Sequence, residues 1–134
     1  MKINIFWFRR DLRLKDNTAL NHALAGDLPV LPLFILDNNI TDELARDDPR
    51  ISFIYDTLAD MDIELRKYGS SLHIIQNDPE AAWKKLIQDF EINSVFINRD
   101  YEPYAITRDN SIEKLLNQHN IKLNRYKDQV IFEE

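Results

Sequence analysis

Apolar residues in this chain fall into two rhythms that take turns. Ile3, Ile5, Phe6, Trp7 and Phe8 form an almost unbroken apolar run, the pattern of a strand buried on both faces. A helix should follow, with Asp16 or Asn17 as its cap, Leu20, Ala23 and Leu24 on one face, and Gly26 in the left-handed position beyond its end. Residues 30–36, VLPLFIL, read as a second buried strand, in which Pro32 cannot donate a ladder hydrogen bond and so marks a strand start or a bulge. Ile51, Ile54, Tyr55, Leu58, Met61, Leu65 and Tyr68 then step by three and four, the clearest helical stripe in the chain, ending at Gly69. SLHIIQ (71–76) is a short strand, and Asp78 with Pro79 caps and opens a helix carrying Trp83, Leu86, Ile87 and Phe90. SVFIN (94–98) is another strand. From about Pro103 a last helix runs through Ile112, Leu115 and Leu116 to His119, with Asn120 as its stop, and IKLNRY then alternates like an edge strand.

Strands alternating with helices predict an α/β fold: a parallel sheet, right-handed crossovers and helices on both faces. In such folds ligands sit beyond the carboxyl ends of the strands, near the point where strand order reverses. That rule nominates residues 9–16, 37–52, 77–79 and 98–104.

Composition narrows the chemistry. The 134 residues, 44% of them hydrophobic, supply one core, so residues 1–134 are read as a single domain. A formal net charge of −6 argues against unspecific capture of a phosphate backbone, which leaves a basic footprint. The absence of cysteine excludes a disulfide framework, a thiolate zinc site and a nucleophilic thiol. The N-terminal apolar run is too short to span a membrane and lacks a signal-peptide cleavage site, so the default location is cytoplasmic. Only Gly26 and Gly69 exist, both read as helix terminators, which leaves no glycine-rich loop to cradle phosphates. His22, His73 and His119 fall on different elements without ligand-like spacing, and no serine sits in a nucleophile elbow.

Two stretches are not exhausted by secondary structure. Arg9, Arg10, Asp11, Leu12, Arg13, Leu14, Lys15 and Asp16 leave the first strand at the ligand edge. Mixed-sign surface clusters are common and each exposed pair contributes little, so these charges can simply satisfy one another. NRDYEPYAITRD (98–109) leaves the fourth strand at the same edge and offers Arg99, Asp100, Glu102 and Arg108 with Tyr101 and Tyr104 interleaved. It reads either as a loop that starts a helix through Pro103 or as a rim for a planar, polar ligand.

WFRRDLRLKDN (7–17), VLPLFILD (30–37) and NRDYEPYAITRD (98–109) resemble, in order and spacing, the N-terminal domain of the DNA photolyase and cryptochrome family. The resemblance extends over essentially the whole chain, including DQVIFEE near its end, and is greatest to photolyases that repair cyclobutane pyrimidine dimers. It implies a Rossmann-like three-layer domain with a five-stranded parallel sheet in the order 3-2-1-4-5. It also implies a larger helical domain, outside this chain, that binds FAD and the damaged DNA. Taken alone, the domain is expected to hold neither flavin nor dimer and to be inactive.

In this family the first domain forms one wall of a cleft for a light-harvesting chromophore, a folate or a deazaflavin. The deazaflavin contacts correspond here to Ile35, Arg50, Ile51 and the segment 100–108, with Asp100, Glu102, Tyr104 and Arg108 as its polar and aromatic members. Folate-type members tend to carry an Asn-Glu pair where this chain has Tyr104 and Ala105, which favours a deazaflavin, another flavin-like antenna or an empty cleft. Arg9, Arg10, Asp11 and Arg13 are then implied to form a partly interdomain loop of ion pairs beside that cleft. Trp7 and Trp83 are expected in the core, because the family's tryptophan relay lies in the helical domain. In the whole protein the resemblance implies light-driven splitting of pyrimidine dimers by reduced FAD, with the antenna passing on excitation energy. A cryptochrome receptor without repair activity is the alternative, and a free-standing nucleotide-binding or electron-transfer protein would need the phosphate loop that the glycine count removes.

Overall fold

A computed structural model describes residues 2–9, 14, 17–38, 48–67 and 69–127. Along the chain these form β1 (Lys2–Phe8), α1 (Thr18–Leu24), β2 (Val30–Asp37), α2 (Pro49–Arg66), β3 (His73–Asn77), α3 (Pro79–Asp89), β4 (Glu91–Asn98), α4 (Pro103–Gln118) and β5 (Lys122–Tyr126). All neighbouring strands pair in parallel, in the order β3-β2-β1-β4-β5. The expected fold class and strand order are therefore observed. Strand order reverses at β1, which has β2 on one side and β4 on the other.

The unbroken apolar run of β1 follows from its central place. Ile5 and Trp7 join the core layer that includes Trp83, Leu86, Ile112 and Leu116 from α3 and α4. Phe6 and Phe8 join the opposite layer, with Ala19 and Leu20 of α1 and Leu58, Met61 and Leu65 of α2. Successive strand residues point to opposite faces, so a strand covered on both sides must be apolar at both. Trp7 and Trp83 meet edge to face at 5.4 Å between ring centroids, both buried, as expected for core residues.

Local chemistry explains most helix ends. Asn17, Asp48 and Asp78 each accept a backbone N–H of the first turn of α1, α2 and α3 respectively. Proline opens α2, α3 and α4, where its missing N–H costs no helical hydrogen bond. Asn120, at φ 60°, and Gly69, at φ 78°, supply left-handed turns just beyond α4 and α2.

Several expectations are corrected. Gly26 does not adopt positive φ; α1 ends instead through Ala25 in a right-handed conformation whose N–H reaches the carbonyls of Ala23 and Asn21. Leu24 is exposed, and Ala19 takes its place on the buried face of α1. Tyr55 is also exposed, because the inward face of α2 narrows to Leu58, Met61 and Leu65 with Ile54 packed at its edge. That helix begins at Pro49, with Asp48 as its cap. Pro32 lies inside β2, paired with Phe6, without a bulge; β3 pairs with β2 only from Leu33 onward. The irregularity sits in β4, where Ile3 pairs with Ile92 but Asn4 with Ser94, leaving Asn93 extra. Arg10, Asp11, Arg13, Asp16, Tyr68 and the segment 128–134 lie outside the described residues.

Candidate functional site

The carboxyl ends of β1 and β4 frame the point where strand order reverses, and polar side chains of the chain itself fill it. Arg9, the residue after β1, is 8% exposed and donates from Nη1 to Asp109 Oδ1 at 2.7 Å and from Nη2 to the carbonyl of Asn98. Asn98, the last residue of β4, accepts from the Ala19 N–H at 2.9 Å and donates to Asn17 Oδ1 at 2.7 Å. Asn17 Oδ1 also accepts the Leu20 N–H at 3.1 Å. The first turn of α1 is thereby capped partly from β4, and one guanidinium ties β1, β4 and α4 together.

Asp109 belongs to the inward stripe of α4, with Ala105, Ile112 and Leu116. A carboxylate at such a position must be paired, because an uncompensated buried charge is severely penalised. Its Oδ1 lies 2.7 Å from Arg9 and 3.3 Å from Arg108 Nε. Both guanidinium groups face the Trp7 ring, with their carbons 5.1 Å and 5.2 Å from its centroid. Arg108 also lies 5.9 Å from the Tyr104 ring, and its Nη2 is buried without a hydrogen-bond partner among the described residues.

From α4 the rim continues to β2. Tyr104 donates its hydroxyl proton to Asp37 Oδ2 at 2.5 Å, joining the first turn of α4 to the last residue of β2. Asp37 is buried while the Tyr104 ring is half exposed, so an aromatic face remains available at the edge. Ile35 is buried in β2 and Ile51 half-buried in the first turn of α2.

The residues singled out from the sequence are thus only partly gathered. Tyr104 and Arg108 adjoin one another. Asp100 accepts the Glu102 N–H at 3.1 Å, which shapes the entry to α4, and the Glu102 side chain does not cap that helix. Arg50 bonds to Asp48 through Nε at 3.1 Å and Nη2 at 2.7 Å. That contact, more than any other, holds the Asp48 carboxyl down at about 2 and raises Arg50 from its ordinary value. Sequence reasoning nominated the stretches that hold Asn98, Asp37 and Asp109 without singling out these three side chains. The signal for Asp109 was present: a carboxylate in step with Ala105, Ile112 and Leu116.

Two hollows flank these elements. One of about 160 Å³ beside β5 is lined by Arg99, Asp100, Tyr101, Ile106, Asp109 and Arg125. A larger apolar groove of about 390 Å³ lies toward the amino end of β2, against Leu20, Leu24, Val30, Pro32 and Leu65, away from the polar edge. Among the described residues no group of three or more histidines or carboxylates is placed to hold a metal.

The pattern of the DNA photolyase family matches residues 4–134. The chain belongs to that family. Over 127 residues it is 32% identical to a deoxyribodipyrimidine photo-lyase of Synechococcus sp., a match spanning 95% of this chain and 26% of that protein. Over 125 residues it is 30% identical to cryptochrome-1 of Aedes aegypti, spanning 89% of this chain and 23% of that one. The crystal structure of an archaeal photolyase from Sulfolobus tokodaii, described with two FAD molecules, superposes with a TM-score of 0.81 at 33% identity, covering all of this chain and 32% of that one. The chain therefore spans about a quarter of the length of the curated relatives it matches. Its fold is that of the N-terminal domain of photolyases and cryptochromes. In this DNA photolyase domain the strand-order switch point is closed by Arg9, and the aromatic rim is displaced toward β2.

Proposed function

We propose that this chain is the antenna-chromophore domain of a deoxyribodipyrimidine photo-lyase, in which a helical domain outside the chain holds FAD and the damaged DNA. The observation that carries the reading is the rim itself. A half-exposed tyrosine ring and a largely buried guanidinium stand side by side at the carboxyl edge of the sheet. An aromatic face and a planar donor suit a planar chromophore bearing acceptor oxygens. Ile35, Arg50, Ile51, Asp100, Glu102, Tyr104 and Arg108 are proposed to contact it.

A flavin-like or deazaflavin antenna fits these residues better than a folate. Tyr104 and Ala105 occupy the places where folate-type members carry Asn-Glu, and Ala105 is buried on the inward face of α4. The archaeal photolyase described with two FAD molecules, 33% identical over the whole chain, makes a second flavin a natural candidate. Such a group, when bound, supplies absorption of near-ultraviolet or blue light and a donor of excitation energy to the FAD of the helical domain. The chain's own residues provide position. Tyr104 offers a ring held by Asp37, Arg108 offers an N–H, and the Arg9 cluster closes the switch point to water. Arg10, Asp11 and Arg13 are proposed to line the docking side toward the helical domain. The protein is proposed to act in the cytoplasm; among the described residues no helix is long and apolar enough to cross a membrane.

The test uses the full-length natural protein with reduced flavin and DNA of defined cyclobutane-dimer content. Dimer loss under blue light and none in the dark is the expected result. Bound DNA left unrepaired by a fully reduced enzyme would replace photolyase with the second reading, a cryptochrome, which the 30% identity to cryptochrome-1 over 89% of the chain supports.

A further inference from the structure

Among the described residues three tyrosines are exposed, Tyr101 at 66% and Tyr55 and Tyr104 at 46% each. They differ at the hydroxyl. Tyr104 donates to Asp37 Oδ2 at 2.5 Å, at the short end of the range for a hydroxyl on a carboxylate. Neither Tyr55 nor Tyr101 makes a hydrogen bond from its hydroxyl among the described residues. Asp37 is only 5% exposed, so the Tyr104 ring faces outward while its proton faces a sheltered acceptor.

Such a pair differs from a lone phenol in how it can lose an electron. A phenol that gives up an electron alone becomes a cation. Arg108, whose guanidinium carbon lies 5.9 Å from the Tyr104 ring, opposes that charge. A phenol that passes its proton to a bonded carboxylate in the same step stays neutral, and the guanidinium no longer opposes the loss.

We propose that Tyr104 and Asp37 form a proton-coupled one-electron donor at the carboxyl edge of the sheet, serving a photoexcited oxidised flavin set against the exposed ring. The Tyr104 O–H bond breaks as one electron leaves the phenol for the acceptor, and the proton passes to Asp37 Oδ2. The products are a neutral tyrosyl radical, a protonated Asp37 and an acceptor reduced by one electron. Return of the electron, with the proton moving back from Asp37, restores the starting state. This activity goes beyond the antenna reading and does not require it. Excitation handed on to FAD leaves the pair unused, and excitation that stays on an oxidised flavin is what the pair discharges.

The experiment is flash photolysis of the full-length natural protein without oxygen, with free FMN as the oxidant. A flash before FMN is added gives the contribution of the protein's own FAD, which is subtracted. The neutral tyrosyl radical is followed by its absorption in ordinary and in heavy water. Tyr104→Phe should lower the radical yield by roughly tenfold, while Tyr101→Phe and Tyr55→Phe leave it within about twofold, because a positioned proton acceptor accelerates proton loss by at least that much. Asp37→Asn, nearly isosteric, keeps an acceptor oxygen but cannot take the proton, so its yield should match that of Tyr104→Phe. If Asp37→Asn does not fold, the natural protein decides alone: radical formation should be slower in heavy water, and that dependence should vanish in Tyr104→Phe. A yield that falls as far in Tyr101→Phe as in Tyr104→Phe, an Asp37→Asn protein as reactive as the natural one, or equal rates in the two solvents would overturn the donor role. Dimer repair has a separate readout, so the antenna reading can fail or hold whatever these flashes show.

Discussion

Asn98 shows how much a single side chain can organise at this sheet edge. Its amide satisfies the Ala19 N–H and meets Asn17, while its carbonyl receives Arg9. Asn98→Ala should therefore cost about 2 kcal/mol, because it strands a buried donor on α1 as well as deleting hydrogen bonds. Urea denaturation would check this; a loss of a few tenths of a kcal/mol would mean that water or a shifted Asn17 replaces the amide. By comparison, the exposed Lys84 and Glu80 pair, 3.9 Å apart along α3, should contribute almost nothing measurable. At this scale the sequence was only partly legible. Arg9 stands in a run of mixed charges and looks like surface, and nothing local says that its partner lies 100 residues away. Tyr104 and Arg108 could be nominated because they share a helix start. Their neighbours Asp37 and Trp7 arrive from other strands, and no local pattern pairs them with Tyr104 and Arg108.

At the scale of elements, α2 is held by carboxylates near both ends. Asp48 caps it and binds Arg50, and Asp62 accepts the Leu72 N–H at 2.9 Å ahead of β3 while also meeting Arg66 at 2.9 Å. Both carboxyls are shifted below their ordinary value, Asp48 chiefly by its side-chain bond to Arg50 and Asp62 chiefly by the Leu72 N–H. A depressed carboxyl stabilises the fold above its unfolded pKa, and the contribution disappears as pH falls through the folded value. Acidification from the ordinary carboxylate range toward about 2, the folded value for Asp48, should loosen both ends of α2. Amide exchange at Arg50 and Leu72 would report it. An Asp62→Asn protein should lose the acid response at Leu72 and keep it at Arg50; an unchanged response at Leu72 would sink the assignment.

The two glycines make a sharper element-scale test. The sequence suits both to helix ends, yet only Gly69 takes positive φ. A Cβ at Gly26 would meet its nearest atom, the Ala23 carbonyl oxygen, at an ordinary 3.6 Å. Gly26→Ala should consequently stabilise the domain by about 0.4–1 kcal/mol through the unfolded chain, whereas Gly69→Ala should destabilise it by about 1 kcal/mol. Thermal melts of the two variants shifting in the same direction would contradict this. The elements themselves were legible because caps and periodicity are local: Asp78-Pro79 and the stripe of α2 declare themselves. Gly26 misled because an αR ending, as at Ala25, leaves no sequence mark that separates it from a left-handed one.

At the scale of the whole molecule, a parallel α/β sheet followed from alternation and right-handed crossovers and its strand order from the family resemblance, while the division of labour depends on a partner domain that the alternation of strands and helices cannot describe. The fold supports such a division. Its strand-order switch point is plugged by Arg9 and Asn98, and its two tryptophans are sealed in one core layer. If the domain harvests light and the chemistry lies elsewhere, damage to the rim must affect one wavelength range and spare another. Tyr104→Ala, which removes both the ring and the bond to Asp37, should lower antenna absorbance and the repair yield at wavelengths the antenna dominates. Repair per photon absorbed by FAD directly should stay unchanged, because reduced flavin alone carries the bond-breaking step. Tyr104→Phe keeps the ring and loses only the bond to Asp37, so its antenna loss should be intermediate. An action spectrum over both ranges decides the matter: parallel loss at all wavelengths would mean that Tyr104 supports docking of the flavin domain or DNA, and that the rim is not an antenna site.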